Sequence, residues 1–221
     1  MAGVRRYAQL TSGLVLFGVS IELMLVANLG LDPWDVLHQG IARRTGVPIG
    51  TVVVVISLVV LTLWIPLRQR PGVGTVGNAI LVGLVVDLLQ PHLHTPGPIA
   101  ARVAYLAGGI AVNGVATGLY IGAGLGPGPR DGLMTGLARR GHSLRGVRTC
   151  IELTVLAAGW LLGGSVGVAT LVYAASIGPL AQFFIGRFSL ATTTQTSASA
   201  AATTSTPTTT QISSPTATAS R

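Results

Sequence analysis

Long runs of apolar residues dominate this chain, and short polar segments rich in glycine, proline and arginine separate them. A helix that crosses a bilayer needs roughly 20 mostly apolar residues. Six runs reach about that length, so the pattern predicts an all-α membrane protein with six transmembrane helices. The predicted spans lie near residues 10–31, 47–67, 73–90, 100–125, 147–164 and 165–186.

Composition agrees with a membrane protein and argues against other classes. Hydrophobic residues make up 49% of the 221 residues and charged residues only 9%, whereas soluble domains average about 25% charged residues. The net charge of +8 rests on arginine alone, because the chain has no lysine. We interpret these arginines as charges that orient the chain in the membrane, not as a nucleic-acid surface. No metal or cofactor is expected, since His92 and His94 have no third metal ligand in view.

The arginines are unevenly distributed between the two ends of the predicted spans. Eleven of the fourteen fall on one side of a six-span arrangement, and only Arg43, Arg44 and Arg102 fall on the other. The positive-inside rule then places both termini on the cytoplasmic side of the membrane. Residues 1–9 form the cytoplasmic N-terminus, and the Ser/Thr-rich residues 188–221 are expected to be a disordered cytoplasmic tail.

A duplicated motif relates the two halves of the chain. Residues 33–44, PWDVLHQGIARR, align with residues 129–140, PRDGLMTGLARR, at an offset of 96, and seven of the twelve positions are identical. The register continues outward, since Trp64 matches Trp160 at the same offset. Chance similarity would not keep one register over several predicted spans, so we infer an internal repeat.

Each copy of the repeat holds three predicted spans, residues 10–95 in the first and residues 96–187 in the second. Because three is odd, the second copy enters the membrane from the opposite side, and the copies are inverted. Inverted repeats are typical of secondary transporters, whose binding sites lie at the repeat interface near interrupted helices.

The repeated motif predicts a short helix after the first span of each copy. In the first copy Asp32 is a candidate N-cap, Pro33 stands at the first helical position and Asp35 lies in the first turn. In the second copy Gly128 and Asp131 take the corresponding places. Each helix is too short to span and is either amphipathic at the surface or re-entrant. If both re-enter and meet, their N-termini suit anionic groups; otherwise each is a surface helix capped by its own aspartate.

Acidic residues inside predicted spans need a partner or a cavity, because a charge in hydrocarbon costs at least ~2.5 kcal/mol. Glu22, Asp87 and Glu152 are in this position, and Arg148 stands four residues before Glu152, where the two can pair. None of the three acids has an acidic counterpart in the other copy. The residues expected to bind substrate are Pro33, Trp34, Asp35, Asp87, Arg130, Asp131, Arg148 and Glu152.

Several segments together resemble the YczE/YyaS-like bacterial membrane proteins, which are related to the YitT family. The segments are GLDPWDVLHQG, PGVGTVGNAILVGLVVDL, GAGLGPGPRDGLM, VRTCIELTVLAAGWLLGG and SIGPLAQFF. The resemblance covers roughly residues 10–187 and implies a six-span inner-membrane protein. It brings no biochemical activity and no catalytic residues with it.

We therefore expect a small-molecule secondary transporter or exporter with its site between the repeats. A membrane scaffold or regulatory protein that does not transport is the alternative. An enzyme is not expected, because no nucleophile–base set, phosphate-binding lysine motif or metal-ligand cluster is visible. The expected partners are the lipid bilayer, an unknown small-molecule substrate and, if the chain forms a homo-oligomer, further copies of itself.

Overall fold

Helices account for the regular structure of residues 2–190, the part of the chain that the computed structural model describes, and no strand occurs among those residues. The predicted tail from residue 191 onward lies outside the described residues. A short 3₁₀ turn, Gln90–His92, follows α5. The helices are α1 (Ala2–Ala27), α2 (Pro33–Thr45), α3 (Ile49–Thr62), α4 (Trp64–Leu67), α5 (Val73–Leu89), α6 (Ile99–Gly122), α7 (Pro129–Ala138), α8 (Leu144–Leu161) and α9 (Val168–Phe188).

Five helical stretches within the described residues are long and apolar enough to cross a membrane. They correspond to five of the six predicted spans. The sixth predicted span, residues 147–164, coincides with helix α8, which carries Arg145, Arg148 and Glu152 and is less apolar than the others. The five candidate spans are Gly3–Ala27, Ile49–Leu67, Val73–His92, Ile99–Gly122 and Val168–Phe188.

The first candidate span begins earlier than expected. Helix α1 begins at Ala2 and its candidate span at Gly3, whereas the predicted span begins near residue 10. Arg5 and Arg6 do not delay the helix, because arginine is a good helix former. The basic end of α1 therefore continues the first candidate span without a break.

Glycines with positive φ end the first span of each half and allow the chain to restart as a short helix. Gly30 has φ +118° and Gly126 has φ +121°, a backbone conformation that L side chains rarely adopt. Neither glycine has room for a side chain, since a Cβ would lie 2.7 Å from the Gly167 nitrogen at Gly30 and 2.8 Å from Thr75 Oγ1 at Gly126. The two breaks are thus built in the same way, each against the opposite half.

Equivalent backbone hydrogen bonds join each break to the helix that begins opposite it. The Gly74 nitrogen donates to the Leu125 carbonyl at 2.8 Å, and the Ala169 nitrogen donates to the Leu29 carbonyl at 3.2 Å. The acceptors are related by the repeat offset of 96, and the donors by an offset of 95, which also relates Thr75 to Thr170, Ala79 to Ala174 and Gly83 to Gly178. The two bonds are therefore equivalent: in each, a helix of one half donates to the break of the other half.

A second pair of equivalent bonds between the halves lies at the C-terminal ends of α2 and α7. Arg44 Nε donates to the Leu162 carbonyl at 3.3 Å, and Arg140 Nη2 donates to the Pro66 carbonyl at 2.5 Å. Both donors and both acceptors are offset by 96 residues. The repeated arginine pairs thus fasten each short helix to the opposite half.

Helix packing follows this pattern with one departure. Helices α1 and α6 pack together at the centre, α5 lies against α1 as α9 lies against α6, and α2 lies against α8 as α7 lies against α3. Helices α3 and α5 also pack closely, and a Cβ on either Gly50 or Gly83 would collide with the carbonyl oxygen of the other. Their counterparts α8 and α9 are not packed face to face.

Candidate functional site: a central cavity between the two short helices

The first turns of α2 and α7 line one cavity of about 280 Å³, which we term the central cavity. Helices α6, α8 and α9 contribute other parts of its wall. Six of the eight residues expected at a site line it, and they are Pro33, Trp34, Arg130, Asp131, Arg148 and Glu152. The structure thus brings together residues from both halves of the chain.

Asp32 closes the N-terminus of α2. Its Oδ1 accepts hydrogen bonds from the backbone nitrogens of Trp34 at 2.8 Å and Asp35 at 2.9 Å, and Pro33 at the first helical position has no N–H to satisfy. The first turn of α2 therefore has few free donors, and what it presents to the cavity is carboxylate and indole. The cap predicted from the sequence is present.

Arg130 of α7 reaches across to this capped turn. Its Nη1 lies 3.8 Å from Asp32 Oδ1 and its Nη2 lies 3.5 Å from Asp35 Oδ1. The guanidinium also stands over the Trp34 ring, 5.1 Å from the ring centroid, a cation–π arrangement. Since the side chain keeps 20% of its surface exposed and its two carboxylate contacts are long, the five-donor guanidinium retains unused hydrogen-bonding capacity toward the cavity.

Behind Arg130, Asp35 and His38 form a fully buried pair. Asp35 Oδ1 and His38 Nδ1 are 3.1 Å apart, while Asp35 Oδ2 and His38 Nε2 have no hydrogen-bond partner. Burial lowers the pKa of His38 and the positive Arg130 lowers it further, which favours the neutral imidazole. Arg130 Nη2 also lies 3.4 Å from His38 Nδ1. Sequence reasoning missed His38, although its place three residues after Asp35 on a helix was a signal for such a pair.

The two aspartates at the start of α2 share this buried, charged surrounding. Burial raises the pKa of Asp32 to about 7, the repulsion of Asp35 adds to that rise, and Arg130 opposes it. Burial also raises the pKa of Asp35, against the pull of Arg130. The cluster of one arginine and two carboxylates therefore holds protons more readily than exposed carboxylates would.

The N-terminus of α7 is open where that of α2 is closed. Gly128 occupies the N-cap position, and no side chain accepts a hydrogen bond from the first turn. Asp131 does not cap it, because its Oδ2 accepts from the Tyr120 hydroxyl at 2.6 Å. The first turn of α7 thus has no side-chain cap, and its Gly128, Arg130 and Asp131 line the central cavity at the positive end of the helix dipole.

On the wall formed by α8, Arg148 Nε donates to Glu152 Oε1 at 2.8 Å. The two side chains are 52% and 29% exposed. Ion pairs of this exposure contribute little to stability, so both groups can exchange partners at small cost. The pair predicted from the four-residue spacing is present.

Asp87 lies apart from the residues that line the central cavity. Its Oδ1 accepts from the Gly50 nitrogen at 2.6 Å and its Oδ2 accepts from the Thr51 hydroxyl at 2.7 Å. These bonds satisfy the N-terminus of α3 and join α3 to α5. A local reading of the sequence assigns Asp87 to the substrate site, but its partners lie 36 and 37 residues away, beyond what spacing on one helix can indicate.

Polar residues within the spans complete the wall of the central cavity. Asn113 donates to Ser20 Oγ at 2.8 Å and accepts from the Tyr173 hydroxyl at 3.2 Å. Asn113, Tyr120 and Tyr173 line the cavity and were not singled out from the sequence. An asparagine inside an apolar run was the available signal, because polar groups in spans face a partner or a cavity.

Comparison with known proteins gives a family model and several bacterial relatives. The model described as "Family of unknown function (DUF6198)" matches residues 4–186. An uncharacterized protein of Haemophilus influenzae is 40% identical over 173 residues, which are 78% of this chain and 79% of the relative. The uncharacterized membrane protein YczE of Bacillus subtilis is 32% identical over 184 residues, which are 81% of this chain and 85% of the relative.

A more distant relative is the uncharacterized protein YyaS of Bacillus subtilis, which is 24% identical over 187 residues. No solved structure matches the chain. The similarity to YczE and YyaS covers about four fifths of the chain.

Proposed function

Since this chain belongs to the family of unknown function DUF6198, whose YczE-like relatives include a membrane protein, we propose that it is a secondary transporter of a small polar solute. The solute binds in the central cavity between α2 and α7 in a bacterial plasma membrane. The observation that carries the proposal is Arg130, which joins the first turns of two helices from opposite halves beside a polar cavity.

The proposal includes an inverted-repeat architecture with α8 as the sixth span. The exchange-related bonds of the two breaks and the two arginine pairs support it, because an inverted pair of three-span units produces such equivalence. Helix α8 has 18 residues, close to the roughly 20 needed to span. Two of its three charged residues, Arg148 and Glu152, line the central cavity. Both termini then lie in the cytoplasm, as the arginine distribution indicates.

The substrate class follows from the donors that the cavity leaves unused. Arg130 and the open N-terminus of α7 suit a carboxylate or phosphate group, while nearby Asp131 and Glu152 suit a positive group on the same solute. At about 280 Å³ the cavity is at or below the lower end of the range of about 300–1,000 Å³ typical of drug-sized ligands. We therefore expect a metabolite of amino-acid size that carries an anionic group.

A transporter must also open and close its cavity. We propose that α3 and α5, which meet at Gly50 and Gly83, close the cavity on one side. The counterparts of these residues in the second half are again glycines, Gly146 and Gly178, and no neighbouring helix stands near a Cβ on either of them. Closure of α8 onto α9 through this glycine pair would seal the cavity on the opposite side.

The proposal is tested by binding followed by transport. Purified protein is screened for thermal stabilisation by small dicarboxylates, amino acids and phosphate monoesters, and probes that stabilise it are used as radiolabelled solutes in proteoliposomes. The substitution Arg130→Gln should abolish both binding and uptake, because it removes the central cation. Arg139→Gln is the matched control, since Arg139 is the C-cap of the same helix and does not line the cavity.

A folded wild-type protein that binds none of these probes would contradict the proposal. Binding without uptake would favour the alternative of a ligand-responsive membrane scaffold. Alternating closure is tested separately with cysteines at positions 146 and 178 in a Cys150→Ser background. Oxidation should link the pair, as detected in tryptic peptides, whereas lack of any link with or without solute would refute closure at this place.

A further inference from the structure

A second cavity of about 530 Å³ is separate from the central cavity. The two cavities have no lining residue in common. The second cavity is bounded by the C-terminal halves of α1 and α2, the start of α3 and the segment after α5. Its polar lining residues are Glu22, Gln39, Arg43, Gln90 and Thr95.

Glu22 lies at the floor of this cavity and inside the first candidate span. Its residue is only 2% exposed, and its Oε2 has no hydrogen-bond partner. A buried ionised carboxylate without a partner is strongly unfavourable, whereas a protonated carboxyl is tolerated. The position therefore calls for a proton or another positive ligand.

The charged side chains nearest to Glu22 form hydrogen bonds with other groups. Asp87 of α5 repels it and accepts from Gly50 and Thr51 of α3. Arg43 of α2 donates to the Gly163 carbonyl at 2.5 Å and to Ser165 Oγ at 3.1 Å.

On the α6 side, the Arg102 guanidinium donates to the Ala27 and Asn28 carbonyls at the end of α1. None of these cations forms an ion pair with Glu22 among the described residues. Glu22 thus faces the cavity as an unpaired acid.

We propose that Glu22 is a proton-binding site that exchanges with water through the second cavity and, on the proposed function, couples proton movement to solute transport. A proton needs only the one free carboxyl oxygen that Glu22 offers. A metal cation would need several oxygen ligands, and both oxygens of the neighbouring Asp87 already accept hydrogen bonds. The separate lining of the two cavities lets a proton and a solute bind at the same time.

The site is tested by infrared spectroscopy of the full chain in lipid, with the proton itself as the probe. The wild-type protein should show the C=O band of a protonated carboxyl, which shifts in D₂O and is lost at high pH. Because Asp32 and Asp35 also bind protons readily, the assignment is read from difference spectra. The spectrum of the wild-type protein minus that of Glu22→Gln should contain such a band, and the spectrum of the wild-type protein minus that of Glu152→Gln, a matched substitution of another acid within the helices, should not. A wild-type minus Glu22→Gln difference spectrum without the band would overturn the assignment.

A chemical test does not depend on the folding of a variant. Dicyclohexylcarbodiimide adds to a protonated carboxyl and rearranges to an N-acylurea without loss of atoms, so wild-type Glu22 should gain the full mass of the reagent. The modification should fall as pH rises. Absence of the adduct on Glu22 while the protein is folded at low pH would count against the proposal.

Neither measurement needs a transported solute. A negative transport assay therefore does not contradict the proton-binding site, and a negative result for protonation of Glu22 does not contradict transport. Coupling itself is tested in proteoliposomes with an imposed pH gradient. Uptake in the wild-type protein should respond to the gradient, and uptake in Glu22→Gln should not. Uptake by the wild-type protein that ignores the gradient would refute the coupling role.

Discussion

Replacing Arg130 with glutamine should destabilise the fold far more than the same replacement at Arg148. Arg130 is the cation shared by two buried carboxylates, whereas Arg148 pairs with Glu152 at the edge of a cavity with half of its side chain exposed. Both substitutions remove one arginine of one ion-paired cluster, so the comparison isolates the effect of burial.

The distances give the scale of the difference. With an effective dielectric constant near 20, the attractions across 3.5 Å and 3.8 Å are about 5 and about 4 kcal/mol before desolvation is counted. Removing one partner of a buried pair costs about 3–5 kcal/mol in measured cases. Exposed pairs contribute about 0.2–1 kcal/mol. We therefore expect Arg130→Gln to lower the free energy of unfolding by about 3–5 kcal/mol and Arg148→Gln to lower it by less than about 1 kcal/mol.

The loss at Arg130 should also depend on pH. Without the guanidinium, the pKa values of Asp32 and Asp35 rise above those of the wild-type protein, because the group that lowers them is gone. Protonation then relieves the unpaired charges at low pH. The deficit of Arg130→Gln should be largest near about pH 8 and smaller near about pH 5, where the native state takes up protons.

Equilibrium unfolding in mixed micelles with increasing dodecyl sulfate, followed by circular dichroism, measures these free energies. The double variant Asp35→Asn with Arg130→Gln should lose less stability than the sum of the losses in the two single variants. With Asp35 neutralised, the loss of Arg130 leaves one fewer buried carboxylate unpaired. Equal losses for Arg130→Gln and Arg148→Gln, or a deficit that does not change with pH, would refute the reasoning.

Two further predictions concern the breaks and the Asp32 cap. Gly30→Ala and Gly126→Ala should each lower the free energy of unfolding by at least ~1 kcal/mol, because both backbones are left-handed and both sites are crowded; Gly108→Ala, with nothing within 4 Å, should not, and unequal effects at the two breaks would contradict their equivalence. The pKa of Asp32 is raised from 3.8 to about 7, so the native state binds more protons than the unfolded state within that window, and stability should fall as pH rises through it. Asp32→Asn should reduce this decrease of stability with pH, and a pH dependence of the free energy of unfolding that is unchanged in Asp32→Asn would contradict the prediction. The titratable groups that face Asp32 are Asp35, His38, Arg130 and Tyr173.

Local signals explain what could be predicted from the sequence. The apolar runs gave five of the candidate spans within a few residues, since the cost of exposing backbone to lipid enforces long helices. Asp32 and Pro33 predicted the start of α2 because capping depends on neighbours within three residues. Four of the six expected residues around the central cavity, Pro33, Trp34, Arg130 and Asp131, were predicted from the repeated motif. Arg148 and Glu152 were predicted from the cost of a charge inside a span.

Contacts between distant segments explain what could not be predicted. Asp87 of α5 binds the N-terminus of α3, which lies two helices earlier, and Tyr120 binds Asp131 across the glycine break. No periodicity encodes such partners. His38 escaped notice because its neighbours on α2 match an ordinary amphipathic helix, and only the fold shows that the whole of that side chain is buried.

The bonds that join the two halves are equivalent, but α3 packs against α5 whereas their counterparts α8 and α9 stay apart. Asp87 gives a physical reason for this difference. Its carboxylate makes charge-assisted bonds to Gly50 and Thr51 and so fastens α5 to α3. The counterpart in the second half is Gln182, which lines the central cavity and as a neutral amide would bind the start of α8 more weakly. Charged hydrogen bonds contribute about 1.5–3 kcal/mol and neutral ones about 0.5–1.5 kcal/mol, a difference large enough to leave α8 apart from α9.

The substitution Gln182→Asp should therefore favour closure of α8 onto α9 and raise the yield of the disulfide between cysteines at positions 146 and 178. A difference of about 1 kcal/mol corresponds to roughly a fivefold change in the ratio of closed to open molecules. Gln182→Asn is the matched control, because it has the size of aspartate without its charge. If aspartate and asparagine gave the same yield, the carboxylate at position 87 would not be what holds the first half closed, and the asymmetry of the two halves would need another cause.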